Sequence, residues 1–216
     1  MNTSNNINVN TPPALAGGVR LPFITLVIIL IALPLSLSPS LFELSYFDQQ
    51  LIQQGQLWRL VSGHLSHTSS SHLLWDLLAF ALAAGYLELH SPKYLLAALL
   101  AAVFLLDVHL MSPASGISRY AGLSGLLFAP LTLSLVIFAR QQPSLNGWLP
   151  LLICLGKLIW EQFSQQALLS QSAWPAYPTA HLVGSLAGVV VILGWMIETD
   201  KFKARNTSSE LTRTHH

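Results

Sequence analysis

Charge is scarce in this chain. Lysine, arginine, aspartate and glutamate supply 9% of its 216 residues, against about 25% in an ordinary soluble domain. That scarcity excludes a domain kept in water by its own surface. The charges present nearly cancel, at a net +1, so no basic field offers itself to nucleic acid. Cysteine is almost absent. Cys154 stands alone in an apolar stretch, which rules out a disulfide framework and leaves the redox compartment unread. His64, His67 and His72 have a spacing that metal ligands can have, but a zinc centre wants a second cluster beside them. None stands in the right company, so no metal and no other cofactor is expected. Hydrogen bonding in a loop and at a helix entrance is the plainer role for these rings.

What the chain has instead is apolar length. Hydrophobic residues make up 52% and mean hydropathy is +0.55. Six stretches approach the roughly 20 residues that a helix needs to cross a bilayer core. They are Leu21–Leu37, His72–Leu89, Tyr94–Met111, Leu123–Ala139, Trp148–Phe163 and Pro178–Ile197. Lys157 and Glu161 interrupt the fifth. The first has an arginine before it, as a signal peptide would, but the nineteen uncharged residues ahead of Arg20 make a poor n-region. The expected class is therefore all-α: a polytopic membrane protein, a six-helix bundle over residues 21–197. A disordered leader (1–20) and a solvated tail (198–216) flank it. Membrane lipid is its first partner.

Six crossings place both termini on one side. That side collects Arg20, Lys93, Arg140, Lys201, Lys203, Arg205 and Arg213, whereas Arg59 and Arg119 fall opposite. Seven against two puts both termini in the cytoplasm by the positive-inside rule. The second, fourth and sixth spans then start near the outer face. Each start carries a polar signature: His72-Leu73-Leu74-Trp75-Asp76, Gly122-Leu123-Ser124-Gly125, and Ala180-His181 followed by Gly184 and Gly188. A serine and a histidine at one depth are the minimum parts of a nucleophile and its general base. Gly184 and Gly188 form a Gly-x-x-x-Gly face, and with Gly122, Gly125 and Ala129 they allow two backbones to approach closely. For Ser124 alone, a small packing residue is the better explanation; with His181 beside it, catalysis is.

These three signatures, with Trp58-Arg59, His67 and the long first loop before them, resemble the rhomboid family of intramembrane serine proteases from about Leu41 to Trp195. The run Lys157-Leu158-Ile159-Trp160-Glu161-Gln162 resembles the rhombosortase branch. The resemblance implies an endopeptidase of the bacterial inner membrane that cuts single-span proteins near the outer face. In that branch the site of cleavage lies by a C-terminal anchor of Gly-Gly, apolar helix and basic residues. It implies Ser124 and His181 as the catalytic pair and Phe128, one turn after the serine, as the ring that stacks on the histidine. No acid lies on the helix of His181, so a dyad is expected. It also implies that His72 and position 76 support the oxyanion. Asp76 departs here from the usual asparagine, since an ionised carboxylate cannot donate a hydrogen bond. Asp76 is then a protonated donor, or an orienter of His72, or the mark of an inactive relative. The protonated donor is favoured, because a charge beside an oxyanion is hard to tolerate in a dry site. Two other classes compete: a relative that binds transmembrane helices without cutting, and a proton-relaying transporter, which would show internal repeats. Lys157 and Glu161 are expected to form an ion pair or to contact substrate. Trp58 and Arg59 read as an interfacial anchor, and Asp107 and His109 as interfacial residues.

Overall fold

The computed structural model describes residues 21–166, 168, 172 and 174–213, with side chains as far as residue 197. The expected leader lies outside the described residues. The chain runs α1 (Phe23–Leu37), α2 (Pro39–Ser45), β1 (Phe47–Asp48), α3 (Gln49–Gln53), α4 (Arg59–Ser62), α5 (Ser70–His90) and α6 (Pro92–Leu110). A 3-10 turn at Pro113–Ser115 follows, then β2 (Arg119–Tyr120), α7 (Ser124–Gln141), α8 (Leu145–Ser164) and α9 (Thr179–Arg213). The helix that opens at the sixth expected span thus continues well past Ile197.

Local chemistry sets several of these boundaries. The Ser69 hydroxyl accepts from the His72 amide at 3.2 Å, capping α5. Prolines at the first turn begin α2 and α6, where a missing N–H costs nothing. The first turn of α1 is held from another helix: Glu88 of α5 accepts from the amides of Ile24 at 2.7 Å and Thr25 at 2.8 Å. A buried carboxylate there meets amides that have no helical acceptor of their own.

α7 is the centre of the bundle and packs on α5, α6, α8 and α9, most extensively on α9. Small residues line its contacts and those of its neighbours; Ala83, Ala84, Ala98, Ala102, Ala129 and Ala187 are all buried. Close approach of small faces is how helices associate where lipid removes the hydrophobic drive. Ser134 adds a polar tie, donating to the Ala83 carbonyl at 2.8 Å. Leu82, Leu100, Phe104 and Phe163 instead face outward, as lipid-contacting residues must. α8 leans chiefly on α7 and only lightly on α9.

Among the described residues, four helices are long and apolar enough to cross a membrane: α5, α6, α7 and the Thr179–Ile197 part of α9. α1 and α2, bent by 110° from each other, make a fifth if counted as one broken span. The bundle therefore has four to five such helices where six are expected. α1 alone is only 15 residues long, and Asn146, Lys157, Glu161 and Gln162 lower the hydropathy of α8.

Two further expectations change. The helical fold includes a small antiparallel pairing of β1 with β2, Phe47 opposite Tyr120 and Asp48 opposite Arg119. Arg59 is no surface anchor either. It is buried, donating to the carbonyls of Tyr46 at 2.7 Å and Glu43 at 2.9 Å and to Gln56 Oε1 at 2.8 Å. The forked guanidinium satisfies carbonyls that the end of α2 leaves without amides. Trp58 does remain exposed, its ring N–H donating to the Leu44 carbonyl at 2.9 Å.

Candidate active site

A cavity of about 810 Å³ opens between α5, α7, α8 and α9, and Ser124, His181, His72, Asp76, Lys157 and Glu161 all line it. Ser124 is the first residue of α7, a turn whose amides have no helical acceptor. Phe128 lies one turn further along the same face. His181, near the start of α9, stacks on the Phe128 ring with centroids 4.6 Å apart and planes 20° apart. That stacking holds the imidazole on the face of α7 that carries Ser124.

The glycines let the two helices meet. A side chain at Gly184 would strike the Gly125 carbonyl oxygen and come within 3.1 Å of Phe128 Cβ; one at Gly188 would lie 2.8 Å from the Ala129 carbonyl. Gly125 has its own crowding, with the Tyr120 hydroxyl 2.9 Å and Ala180 Cβ 3.2 Å from where its Cβ would stand. Gly122 is constrained twice. Its φ of +152° is one that side chains rarely adopt, and a Cβ there would lie 2.8 Å from His72 Cε1. The His72 ring therefore occupies the space that glycine vacates in front of Ser124.

His72 and Asp76 are joined, as their spacing allows, with Nε2 3.3 Å from Asp76 Oδ2. The same carboxylate oxygen is 3.2 Å from His67 Nε2. His67 Nε2 also accepts from the Leu123 amide at 3.3 Å, which ties this network to the residue before Ser124. His67 continues the network, its Nδ1 3.0 Å from the Ser36 hydroxyl of α1. Burial pushes the His67 ring below its ordinary pKa, against the pull of Asp76. His64 lies apart from this network, buried and 3.0 Å from Asp107, while His109 reaches the Tyr177 hydroxyl at 2.7 Å.

A carboxylate also reaches His181, from α8 rather than from its own helix. Glu161 Oε2 is 2.8 Å from His181 Nδ1 and 2.7 Å from Lys157 Nζ. The expected ion pair of Lys157 with Glu161 thus exists, but it forms part of a three-residue cluster with His181, whose acidic neighbour comes from another helix. Lys157 Nζ also lies 4.9 Å from the centre of the Phe128 ring. Sequence reasoning missed Tyr120 as well. Its hydroxyl accepts from the Gly125 amide at 3.3 Å beside Ser124, and burial raises its pKa, which keeps the phenol neutral.

The Rhomboid domain matches residues 54–197, 144 of the 216 residues, and so spans every residue of this cluster except Ser36. No curated protein matches the chain. A bundle of membrane-length helices with that domain across most of its length is an integral, multi-pass membrane protein. The chain belongs to the rhomboid family, whose members are in general serine proteases that act on transmembrane substrates within the membrane.

Proposed function

We propose that this rhomboid is an active endopeptidase in which Ser124 is the nucleophile and His181 its general base. The observation that carries this is the stacking of His181 on Phe128, one turn from Ser124 on a shared cavity. With Nδ1 turned to Glu161, Nε2 is the ring nitrogen left to take the serine proton. Ser124 Oγ attacks the scissile carbonyl, and His181 then returns the proton to the leaving amine as the C–N bond breaks. Water, deprotonated by the same nitrogen, hydrolyses the acyl-enzyme. The oxyanion forms beside the His72 ring at the start of α7, where the helix N-terminus favours negative charge. Asp76, 3.3 Å from His72 Nε2, holds the His72 ring rather than acting as a donor to substrate.

The substrates we propose are single-span proteins with a C-terminal Gly-Gly anchor, as in the rhombosortase branch. Support comes from the Lys157–Gln162 run and from the physics of the segment: two glycines weaken a helix by about 1 kcal/mol each, which exposes the backbone to attack. The chain crosses the bacterial inner membrane six times, α8 and the bent α1–α2 pair included, with both termini in the cytoplasm. The seven-to-two distribution of basic residues supports that orientation. The reaction needs no metal or cofactor.

A fluorophosphonate serine probe tests the core of this proposal. The detergent-solubilised protein should be labelled, with S124A unlabelled and H181A at least about a hundredfold slower. Equal labelling of wild type and S124A, or of wild type and H181A, would refute it.

A further inference from the structure

Glu161 has features of a working group. Its side chain is 1% exposed on a helix that otherwise turns Ile159, Trp160 and Phe163 outward. A carboxylate in such a place is costly unless its oxygens are paired. Both are. Oε2 meets His181 Nδ1 and Lys157 Nζ, and Oε1 accepts from the Leu168 amide at 3.0 Å. One lysine would have sufficed for a structural pair. The carboxylate instead also spans to a different helix, to Nδ1 of His181.

We infer that Glu161 is a positioning residue that completes a Ser124–His181–Glu161 arrangement, with Lys157 as its counter-ion. The inference rests on the proposed catalytic pair. Stacking on Phe128 fixes the plane of the His181 ring but leaves it free to turn within that plane. The bond to Glu161 removes this freedom. It also selects the tautomer, because a carboxylate accepts only an N–H: the proton sits on Nδ1, and Nε2 keeps the lone pair a base requires. When His181 takes the serine proton, the imidazolium forms against a carboxylate already in place. Lys157 moderates this charge, and its three donors allow it to hold the carboxylate while His181 shares the same oxygen.

Two measurements on the full-length protein test this. In histidine-15N-labelled S124A, which needs no activity, the His181 ring should show the Nδ1–H tautomer, and E161Q in that background should lose it. In the active protein, E161Q should lower kcat at least about tenfold with KM little changed, since removing the orienting carboxylate of a catalytic histidine can cost as much as ~10⁴. E161D, a shorter carboxylate, should recover part of that loss. A merely structural role would change the melting temperature of E161Q but not kcat per folded molecule. An Nε2–H tautomer in the labelled S124A protein, or kcat in folded E161Q within about twofold of wild type, would overturn the inference. If the wild type fails to label with the serine probe, the fault lies with the catalytic pair; if it labels and E161Q labels equally fast, the fault lies with Glu161 alone.

Discussion

Adding one methyl group at Gly184 tests how closely α7 and α9 must approach. In a helix interior, alanine for glycine gains about 1 kcal/mol through propensity, and that is all Gly194→Ala should do, since nothing lies within 4 Å of its new Cβ. At Gly184 the methyl would strike the Gly125 carbonyl oxygen and crowd Phe128. Backbone cannot swing aside as the tip of a side chain can, so overpacking sits toward the upper end of its usual 1–3 kcal/mol. The two terms leave G184A less stable by about 1–2 kcal/mol, and less stable than G194A by about 2–3 kcal/mol. Function should suffer more. Relief of the clash moves α7, with Ser124 and Phe128, away from His181, and a displacement of about 1 Å can cost about a hundredfold in rate. Thermal unfolding in detergent and the rate of serine-probe labelling measure both effects on one sample. If G184A melts with G194A and labels at the same rate, close packing of these helices does not assemble the site.

Two more substitutions probe neighbouring features. G122A should lose at least about tenfold in labelling rate, because it combines the strain of φ +152° with a collision on His72. G55A carries a φ of +99° but meets nothing, and should lose stability only; equal labelling by the two variants would mean that His72 has no part. His67 predicts a pH effect on stability. Burial lowers its pKa in the folded protein, so the unfolded chain binds more protons as pH falls below about 6.5. Stability is then full above that pH and declines below it. Between about pH 7 and about pH 5 the wild type should lose more melting temperature than H67Q, and parallel curves would refute the assignment.

The parts of this molecule that could be read in advance are those whose signal is local. Apolar length located the helices, and the His72–Asp76 and Gly184–Gly188 spacings predicted shared faces because i and i+4 always share one. Lys157 and Glu161 were legible as a pair for the same reason. Their meeting with His181 was not, since it depends on how α8 rotates against the bundle, twenty residues of sequence away. A clue existed, in that a carboxylate at membrane depth faces inward toward partners, but nothing in a spacing says which partner. Arg59 was misread because an arginine beside a tryptophan resembles an interfacial anchor. The carbonyls of Glu43 and Tyr46 that draw it inside are exposed only by the end of α2. The pairing of Phe47 with Tyr120 is too short to carry any alternation of polarity.

That small pairing bears on the order in which the protein is assembled. Asp48 and Arg119 are 71 residues apart in the chain and 3.1 Å apart in space, so bringing them together closes a long loop. The hairpin of α5 and α6 can form as soon as both are inserted, but the pairing must wait for the chain to return through α6 to the side on which α5 began. Only then does the segment running into Gly122 and Ser124 have its anchor, and only after α9 has arrived does it have its histidine. Under the proposed pairing of Ser124 with His181, a chain still emerging into the bilayer carries the serine before its base. In the proposed mechanism, proteolysis therefore waits for α9.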